Sequence, residues 1–262
     1  MSRRFDAIIV GAGQAGPPLA NRLTRAGRSV ALIERKLFGG TCVNTGCMPT
    51  KTLVASARAA HMARRAADFG VVLAGDLGLD QAGVATDARG YVTADDELRT
   101  SVPGIWALGD CNGRGAFTHI AYNDYEIVAA NLLDGGQRRL SERVSGYALY
   151  IDPPLGRVGL NEAQARKRGR PFLVGKRPMG RVGRAVEKDE TQGFMKVIVD
   201  AETKAILGAA ILGVEGDEAI HGIIDMMSVN ATATQLQRTV PIHPTVSELI
   251  PTLIAEAHAP DG

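Results

Sequence analysis

Charge of one sign is what this sequence most lacks. Across 262 residues, 30 lysines and arginines face 28 acids, leaving a formal charge of +2. So even a balance gives no general attraction to a phosphate backbone, and nucleic acid is not an expected partner. The one basic cluster, Arg166-Lys167-Arg168-Gly169-Arg170, follows Asn161 to Ala165 and reads as the solvated end of a short helix, where cations are favoured. Long apolar runs are also missing: nothing approaches the ~20 residues of a membrane span. Ser2-Arg3-Arg4 followed by Ala7 to Ala20 imitates a signal peptide, but Asp6, three spaced glycines and the lack of a cleavage site argue against one. A soluble, cytoplasmic protein is expected, with 45% hydrophobic residues to fill one large or two modest cores. Internal repeats and low-complexity segments are absent.

Cysteine is scarce too, at three residues. Two of them, Cys42 and Cys47, stand four residues apart behind the glycine pair Gly39-Gly40, in Gly40-Thr41-Cys42-Val43-Asn44-Thr45-Gly46-Cys47-Met48-Pro49-Thr50-Lys51. Zinc is a poor reading because the remaining ligands of a tetrahedral site are not nearby, and no metal site is expected. A structural disulfide is the weaker reading where thiols are kept reduced. A dithiol that opens and closes in redox work, or two small buried thiols placed by chance, remain. Cys111 has no partner at disulfide spacing and reads as a small loop residue.

The N-terminus has a more specific pattern. Phe5 to Val10 is a run expected to form a strand buried on both faces. It leads into Gly11-Ala12-Gly13-Gln14-Ala15-Gly16, then a helix from about Gln14 to Ala26 with Pro17 and Pro18 in its first turn, then a second buried strand, Ser29 to Glu34. Strand, Gly-x-Gly-x-x-Gly, helix, strand and an acid about 20 residues on form the dinucleotide fingerprint. Gly11 makes the tight turn, Gly13 admits the pyrophosphate to the backbone, Gly16 lets helix pack on strand, and Glu34 accepts hydrogen bonds from the adenosine ribose. The fingerprint does not separate NAD from FAD.

Further along, a helix is expected from Pro49 to Arg65 and a loop from Leu73 to Leu79. Short strands are expected at Tyr91 to Thr93 and Ile105 to Leu108, and a helix at Thr118 to Leu133. Gly135 to Arg139 reads as a linker. Beyond it, strands at Tyr147 to Ile151, Phe194 to Val199 and Ala205 to Leu212, with helices at Asp217 to Val229 and Pro244 to Ala257, suggest an α+β module.

Four motifs in this order resemble the pyridine nucleotide-disulfide oxidoreductases, the flavoenzymes that include dihydrolipoamide dehydrogenase, glutathione reductase and mercuric reductase. They are the glycine fingerprint with Glu34, the Gly40 to Lys51 segment, Thr100-x-x-Pro103-Gly104-Ile105-Trp106-Ala107-Leu108-Gly109-Asp110, and His243-Pro244-Thr245-Val246-Ser247-Glu248. The resemblance implies FAD as cofactor, with Asp110 of Gly109-Asp110 on the ribityl chain and Thr118 and His119 at the pyrimidine side of the flavin. It implies that Cys47 is the flavin-proximal thiol and Cys42 the interchange thiol that attacks substrate. By the same resemblance, His243, oriented by Glu248, is the acid-base partner of Cys42 and arrives from the other subunit of a homodimer. The acceptor implied is a small disulfide or a metal ion, in a mercuric reductase-like or lipoamide dehydrogenase-like reaction.

Set against that family, the sequence lacks one large piece. Members carry a second strand-glycine-helix fingerprint for NAD(P)H, and none occurs here; Gly208, Gly213 and Gly216 have the wrong spacing. Lys51 also loses the acidic partner that the missing domain supplies, and the C-terminal Ala255 to Gly262 lacks the cysteine pair of mercuric reductases proper. The expected fold is therefore α/β. A Rossmann-like FAD-binding domain over 1–140, in segments 1–72 and 75–140, has a parallel sheet shortened by an internal deletion, and an α+β dimerisation domain covers 145–262. The alternative to a working reductase is a dimeric FAD-binding remnant, or an engineered internal deletion, without NAD(P)H-driven catalysis. A single-domain NAD dehydrogenase explains neither Gly109-Asp110 nor the cysteine pair.

Overall fold

The computed structural model describes residues 4–35, 37–40 and 78–260. They fall into two compact units, Met1–Glu142 and Arg143–Gly262. The first is α/β with a parallel strand pair; the second is an antiparallel sheet with helices.

In the first unit, strand β1 (Ala7–Val10) pairs in parallel with β2 (Val30–Ile33), in the register Ala7↔Val30 to Val10↔Ile33. Helix α1 (Gly16–Arg25) makes the crossover. Leu19 and Leu23, one turn apart, put its buried face on the strands. Pro17 and Pro18 occupy the first turn, where a missing amide breaks no helix bond, and Arg22 and Arg25 occupy the last, where cations offset the dipole. The helix stops at Ala26, followed by Gly27 at φ 76°. Asp6 ties the start of β1 to the start of β2, its Oδ2 accepting from Ser29 N (2.8 Å) and Ser29 Oγ (2.7 Å).

The expectation that both strands are buried on two faces is corrected. Ile9 and Ala7 pack toward the helices, but Ile8 is 62% exposed and Val10 56%. Burial on two faces requires a second covering layer, and the described residues supply one on only one side.

Two expected strands between residues 78 and 108 reduce to isolated antiparallel bridges, Thr86↔Val92 and Arg99↔Trp106. Aspartates explain the shortfall. Asp87 Oδ1 accepts from the amides of Arg89 (2.8 Å) and Tyr91 (3.0 Å), and Asp95 Oδ1 accepts from those of Glu97 (2.9 Å) and Arg99 (2.8 Å). Side chains have taken the amides that a longer ladder would use. Helix α2 (Thr118–Leu133) matches its expected span, and it buries Ile120, Ala121, Asp124, Ile127 and Val128.

The second unit is a five-stranded antiparallel sheet in the order β3-β4-β7-β6-β5. Its strands are β3 (Gly146–Leu149), β4 (Leu155–Gly159), β5 (Phe172–Pro178), β6 (Phe194–Asp200) and β7 (Ile206–Leu212). Helix α3 (Glu162–Lys167) opens with a capping box between Asn161 and Gln164 and ends in the basic cluster. Helix α4 (Gly183–Glu187) follows β5. After β7 come α5 (Gly216–Ala219), α6 (His221–Ser228), α7 (Ala233–Gln237) and α8 (Ile250–Ala255). Met179, Met195, Val197, Ile211, Ile223 and Leu253 form the dry centre of the unit.

Here too the expected helices are shorter. The 217–229 segment breaks at Ile220 into α5 and α6. The 244–257 segment becomes a 3-10 turn, Ser247–Leu249, followed by α8. Pro251 sits in the first turn of α8 and has no amide to continue a helix from residue 247, so the helix restarts there.

Candidate functional site

The glycine turn between β1 and α1 is built from close approaches. Gly11 continues the strand pair, its amide donating to Ile33 O at 2.7 Å, and then turns at φ 104°, a conformation open to glycine. A Cβ on Gly16 would stand 2.2 Å from Gly11 O, so only hydrogen fits where the helix leaves the turn. Glu34, at the end of β2, accepts from Ala12 N at 2.8 Å. The following loop lies on the same turn: Gly39 N donates to Ala12 O at 2.8 Å, and a Cβ on Gly40 would come 2.6 Å from Gly13 Cα. Gly11, Gly13, Gly16, Glu34 and Gly40 are thus brought together.

Beside them is an open pocket of about 300 Å³ lined by Ala12, Gly13, Gln14, Pro17, Phe38 and Tyr122, among others. Phe38 and Tyr122 are 67% and 45% exposed and present aromatic surface at its rim. Neither was singled out from sequence, and an isolated Phe or Tyr carries no signal that could have done so.

Gly109 and Asp110 open a 3-10 turn, Gly109–Asn112, five residues before α2. Cys111, expected in a loop, lies in this turn and donates to Leu108 O at 3.2 Å. Desolvation first, and then the nearby Asp124 carboxylate, push its thiol pKa up. Thr118 is the first residue of α2, and the ring of His119 stacks on Phe117 with centroids 5.6 Å apart. Asp124 is fully buried, its Oδ2 accepting from Gly109 N and Asn112 Nδ2, both at 2.8 Å. This carboxylate was missed, although an acid amid the apolar stripe of Ile120, Ala121, Ile127 and Val128 is a signal that sequence does carry.

In the second unit His243 and Glu248 meet. His243 Nδ1 lies 2.7 Å from Glu248 Oε2, with the imidazole 80% exposed and the carboxylate 11% exposed. Val246, Ile250 and Leu253 are buried and anchor the segment, while Thr245 Oγ1 donates to Ile242 O at 2.8 Å and tightens the turn carrying the histidine. A half-buried acid holding one ring nitrogen leaves the other face of the imidazole toward solvent, the arrangement of an oriented proton carrier.

The remaining expected site residues, Thr41, Cys42, Cys47 and Lys51, lie outside the described residues, as does the 49–65 helix. Among the described residues no group of three or more His, Cys, Asp or Glu is placed to hold a metal ion, and no helix is long and apolar enough to cross a membrane.

Comparison with known proteins bears on the whole arrangement. The sequence profile of the pyridine nucleotide-disulphide oxidoreductases matches residues 5–74 and 68–124, and the profile of the dimerisation domain of that family matches 146–254. The chain belongs to this family. Its relatives include the probable pyridine nucleotide-disulfide oxidoreductase RclA of Escherichia coli, 36% identical over 170 residues, which cover 64% of this chain and 38% of that protein. Dihydrolipoyl dehydrogenase 3 of Haloarcula marismortui is 31% identical over 282 residues, 94% of this chain and 59% of that protein. The family member described here therefore spans 38% and 59% of these two curated relatives. Among solved structures, a Cu(II) complex of the HOCl-induced flavoprotein disulfide reductase RclA aligns with a TM-score of 0.79 at 22% identity, over 97% of this chain and 99% of that one. LpdA from Mycobacterium tuberculosis aligns with a TM-score of 0.64 at 18% identity, over 97% and 62%. At those identities the structures establish the fold.

Proposed function

We propose that this chain is an FAD-dependent disulfide oxidoreductase that passes electrons to a Cys42–Cys47 redox disulfide and on to a small disulfide acceptor. The observation that carries the reading is the glycine cradle: a turn with room for hydrogen alone at Gly16, a pocket at its mouth, and Glu34 beside it. These residues fit a dinucleotide. Pro17 and Pro18 offer no amides, so pyrophosphate binding rests on the loop amides from Gly13 to Gly16. Glu34 and the glycines would hold the adenosine diphosphate half, with Gly40 and Thr41 alongside it. Asp110 with Gly109 would hold the ribityl chain, and Thr118 and His119 would face the flavin.

The dithiol chemistry follows from the family and from thiol reactivity. Cys42 thiolate attacks the acceptor disulfide and displaces one thiolate; His243 supplies the proton that this leaving group takes up, and Glu248 holds the imidazole for that transfer. Cys47 then attacks Cys42 and displaces the second acceptor thiolate, which regenerates the Cys42–Cys47 disulfide. Were FAD bound here and reduced, the reduced flavin would supply the two electrons that reopen this disulfide and would itself return to FAD. The domains follow from the same reading, with cofactor binding in residues 1–140 and dimerisation in 145–262. His243 is contributed across a homodimer, and the cytoplasm is the compartment that keeps such a dithiol reduced. A metal-ion acceptor, as in mercuric reductase, is the variant of this reading that the same dithiol would serve.

A second reading has its own support. The family profile is matched in two pieces that meet at residues 68–74, and the chain is far shorter than its relatives. Those facts favour an FAD-binding, dimeric remnant without NAD(P)H-driven turnover. Stopped-flow mixing decides between them. Reduction of the FAD-loaded chain by NADPH or NADH at a rate supporting turnover would remove the remnant reading. Reduction by dithionite alone, followed by disulfide cleavage that is lost in Cys42→Ser, would keep the dithiol chemistry and assign the nicotinamide step elsewhere. A dithionite-reduced chain that cleaves no disulfide would refute the first reading.

A further inference from the structure

Asp124 and Asn112 form a buried clamp around the Gly109–Asp110 turn. Asp124 is 0% exposed and Asn112 7%, and the amide of Asn112 is engaged on every side. Its Nδ2 donates to Ala107 O (3.1 Å) and to Asp124 Oδ2 (2.8 Å), and its Oδ1 accepts from Arg114 N (2.8 Å). Asp124 Oδ2 takes a second bond from Gly109 N (2.8 Å). The carboxylate on α2 thus holds Gly109, just before Asp110, directly, and it holds Asn112, just after, whose amide in turn ties down Ala107 and Arg114.

A carboxylate buried at an apolar helix position is costly unless each bond it makes is needed. A neutral side chain could fill the volume. What an apolar residue could not do is hold Gly109, which sits at φ 74° with its amide turned inward. That amide sets the direction in which the next residue, Asp110, leaves the turn.

We infer that Asp124, acting through Asn112 and the Gly109 amide, is the positioning residue that aims Asp110 at the ribityl chain of FAD. The inference rests on the flavin reading above and names what makes that half of the cofactor site rigid. Asp124 does not touch the cofactor; its effect passes through the turn.

The test separates the two halves of FAD. ADP carries the adenosine and pyrophosphate that the glycine cradle would hold, and it lacks the ribityl chain. Titration of the ligand-free chain should show Asp124→Ala weakening FAD by about tenfold or more, as expected for loss of buried charge-assisted hydrogen bonds, while ADP affinity stays within about twofold. Asp124→Asn retains an oxygen able to accept both bonds and should recover most of the FAD affinity. Parallel loss of FAD and ADP, or unchanged FAD affinity, would overturn the inference. Amide hydrogen exchange in the ligand-free chain gives an independent readout, because Gly109 should lose protection in Asp124→Ala and keep it in Asp124→Asn. A wild-type chain that binds neither ligand refutes the flavin reading and the purpose assigned to the clamp, and unchanged Gly109 exchange refutes the clamp itself.

Discussion

Gly13 and Gly16 belong to one motif, yet the structure gives them separable duties, and a single methyl at each distinguishes them. A Cβ on Gly16 would lie 2.2 Å from Gly11 O and 3.3 Å from Gly11 C, where real Cβ contacts stay beyond 3.0 Å. Gly16→Ala must therefore push α1 off the β1 turn by about 1 Å, an overpacking that costs about 1–3 kcal/mol. The better helix propensity of alanine offsets up to about 1 kcal/mol of that. The net loss, between about 0 and 3 kcal/mol and centred near 1.5, should lower the urea midpoint. A Cβ on Gly13 would meet only Gly40 Cα, at 3.6 Å, an ordinary contact. Gly13→Ala should leave unfolding within about 0.5 kcal/mol of wild type. Its methyl would nevertheless occupy the approach of the pyrophosphate, and FAD affinity should fall by about tenfold or more. Urea unfolding without ligand, paired with FAD titration, reads both effects. Gly13→Ala that binds FAD as tightly as wild type, or Gly16→Ala that unfolds like wild type, would refute the reasoning.

Other expectations follow from named groups. His243→Gln should slow dithiol-disulfide exchange by about 10²-fold, and Glu248→Ala by less, since Glu248 orients the ring without exchanging a proton; equal rates in His243→Gln and wild type would remove the histidine from the reaction. Cys111 titrates high because of desolvation and the Asp124 carboxylate. Alkylation followed against pH in a Cys42→Ser/Cys47→Ser background should show its pKa fall in Asp124→Asn, and an unchanged value would contradict that coupling. Acid stability has a definite sign. The Thr203 amide holds Asp200 below the ordinary 3.8, and a hydrogen bond from Lys196 holds Glu162 below 4.5. Their contributions are present above the unfolded pKa values and fade as pH falls through the lower folded ones. The urea midpoint should therefore drop between about pH 5 and 3, less steeply in Asp200→Asn, and an identical slope would refute the assignment.

Legibility from sequence tracked how local the cause was. The glycine turn, α1 and α2 could be placed because each is specified by its own residues: spaced glycines, prolines confined to a first turn, and apolar residues at helical spacing from Thr118 to Leu133. Strands β4 and β5 went unrecognised. Leu155–Gly159 is two-fifths glycine, and Phe172–Pro178 ends in Lys176-Arg177-Pro178, the charges and proline of an edge strand rather than a central one. The expected strands near Val92 and Trp106 failed because aspartate side chains captured the amides, which depends on geometry several residues away. At the site, His243 and Glu248 were readable as a pair through the resemblance of the His243 to Glu248 motif to the family, and the structure joins them at 2.7 Å. Asp124 stood out in the sequence only as an acid in an apolar stripe; the partners that give it a role, Gly109 and Asn112, lie 15 and 12 residues away and reach it only through the fold.

The most direct measurement is the anaerobic visible absorption spectrum of the chain, purified, incubated with FAD, freed of excess cofactor and then titrated with dithionite to two electrons per flavin, enough to open the disulfide and leave the flavin oxidised. A flavin-loaded protein that develops the long-wavelength thiolate-to-flavin band on reduction, and loses that band in Cys47→Ser, is the result predicted for an FAD-dependent dithiol centre in this chain. Colourless protein after removal of excess FAD, or flavin whose spectrum at that point is the same with and without Cys47, would contradict it.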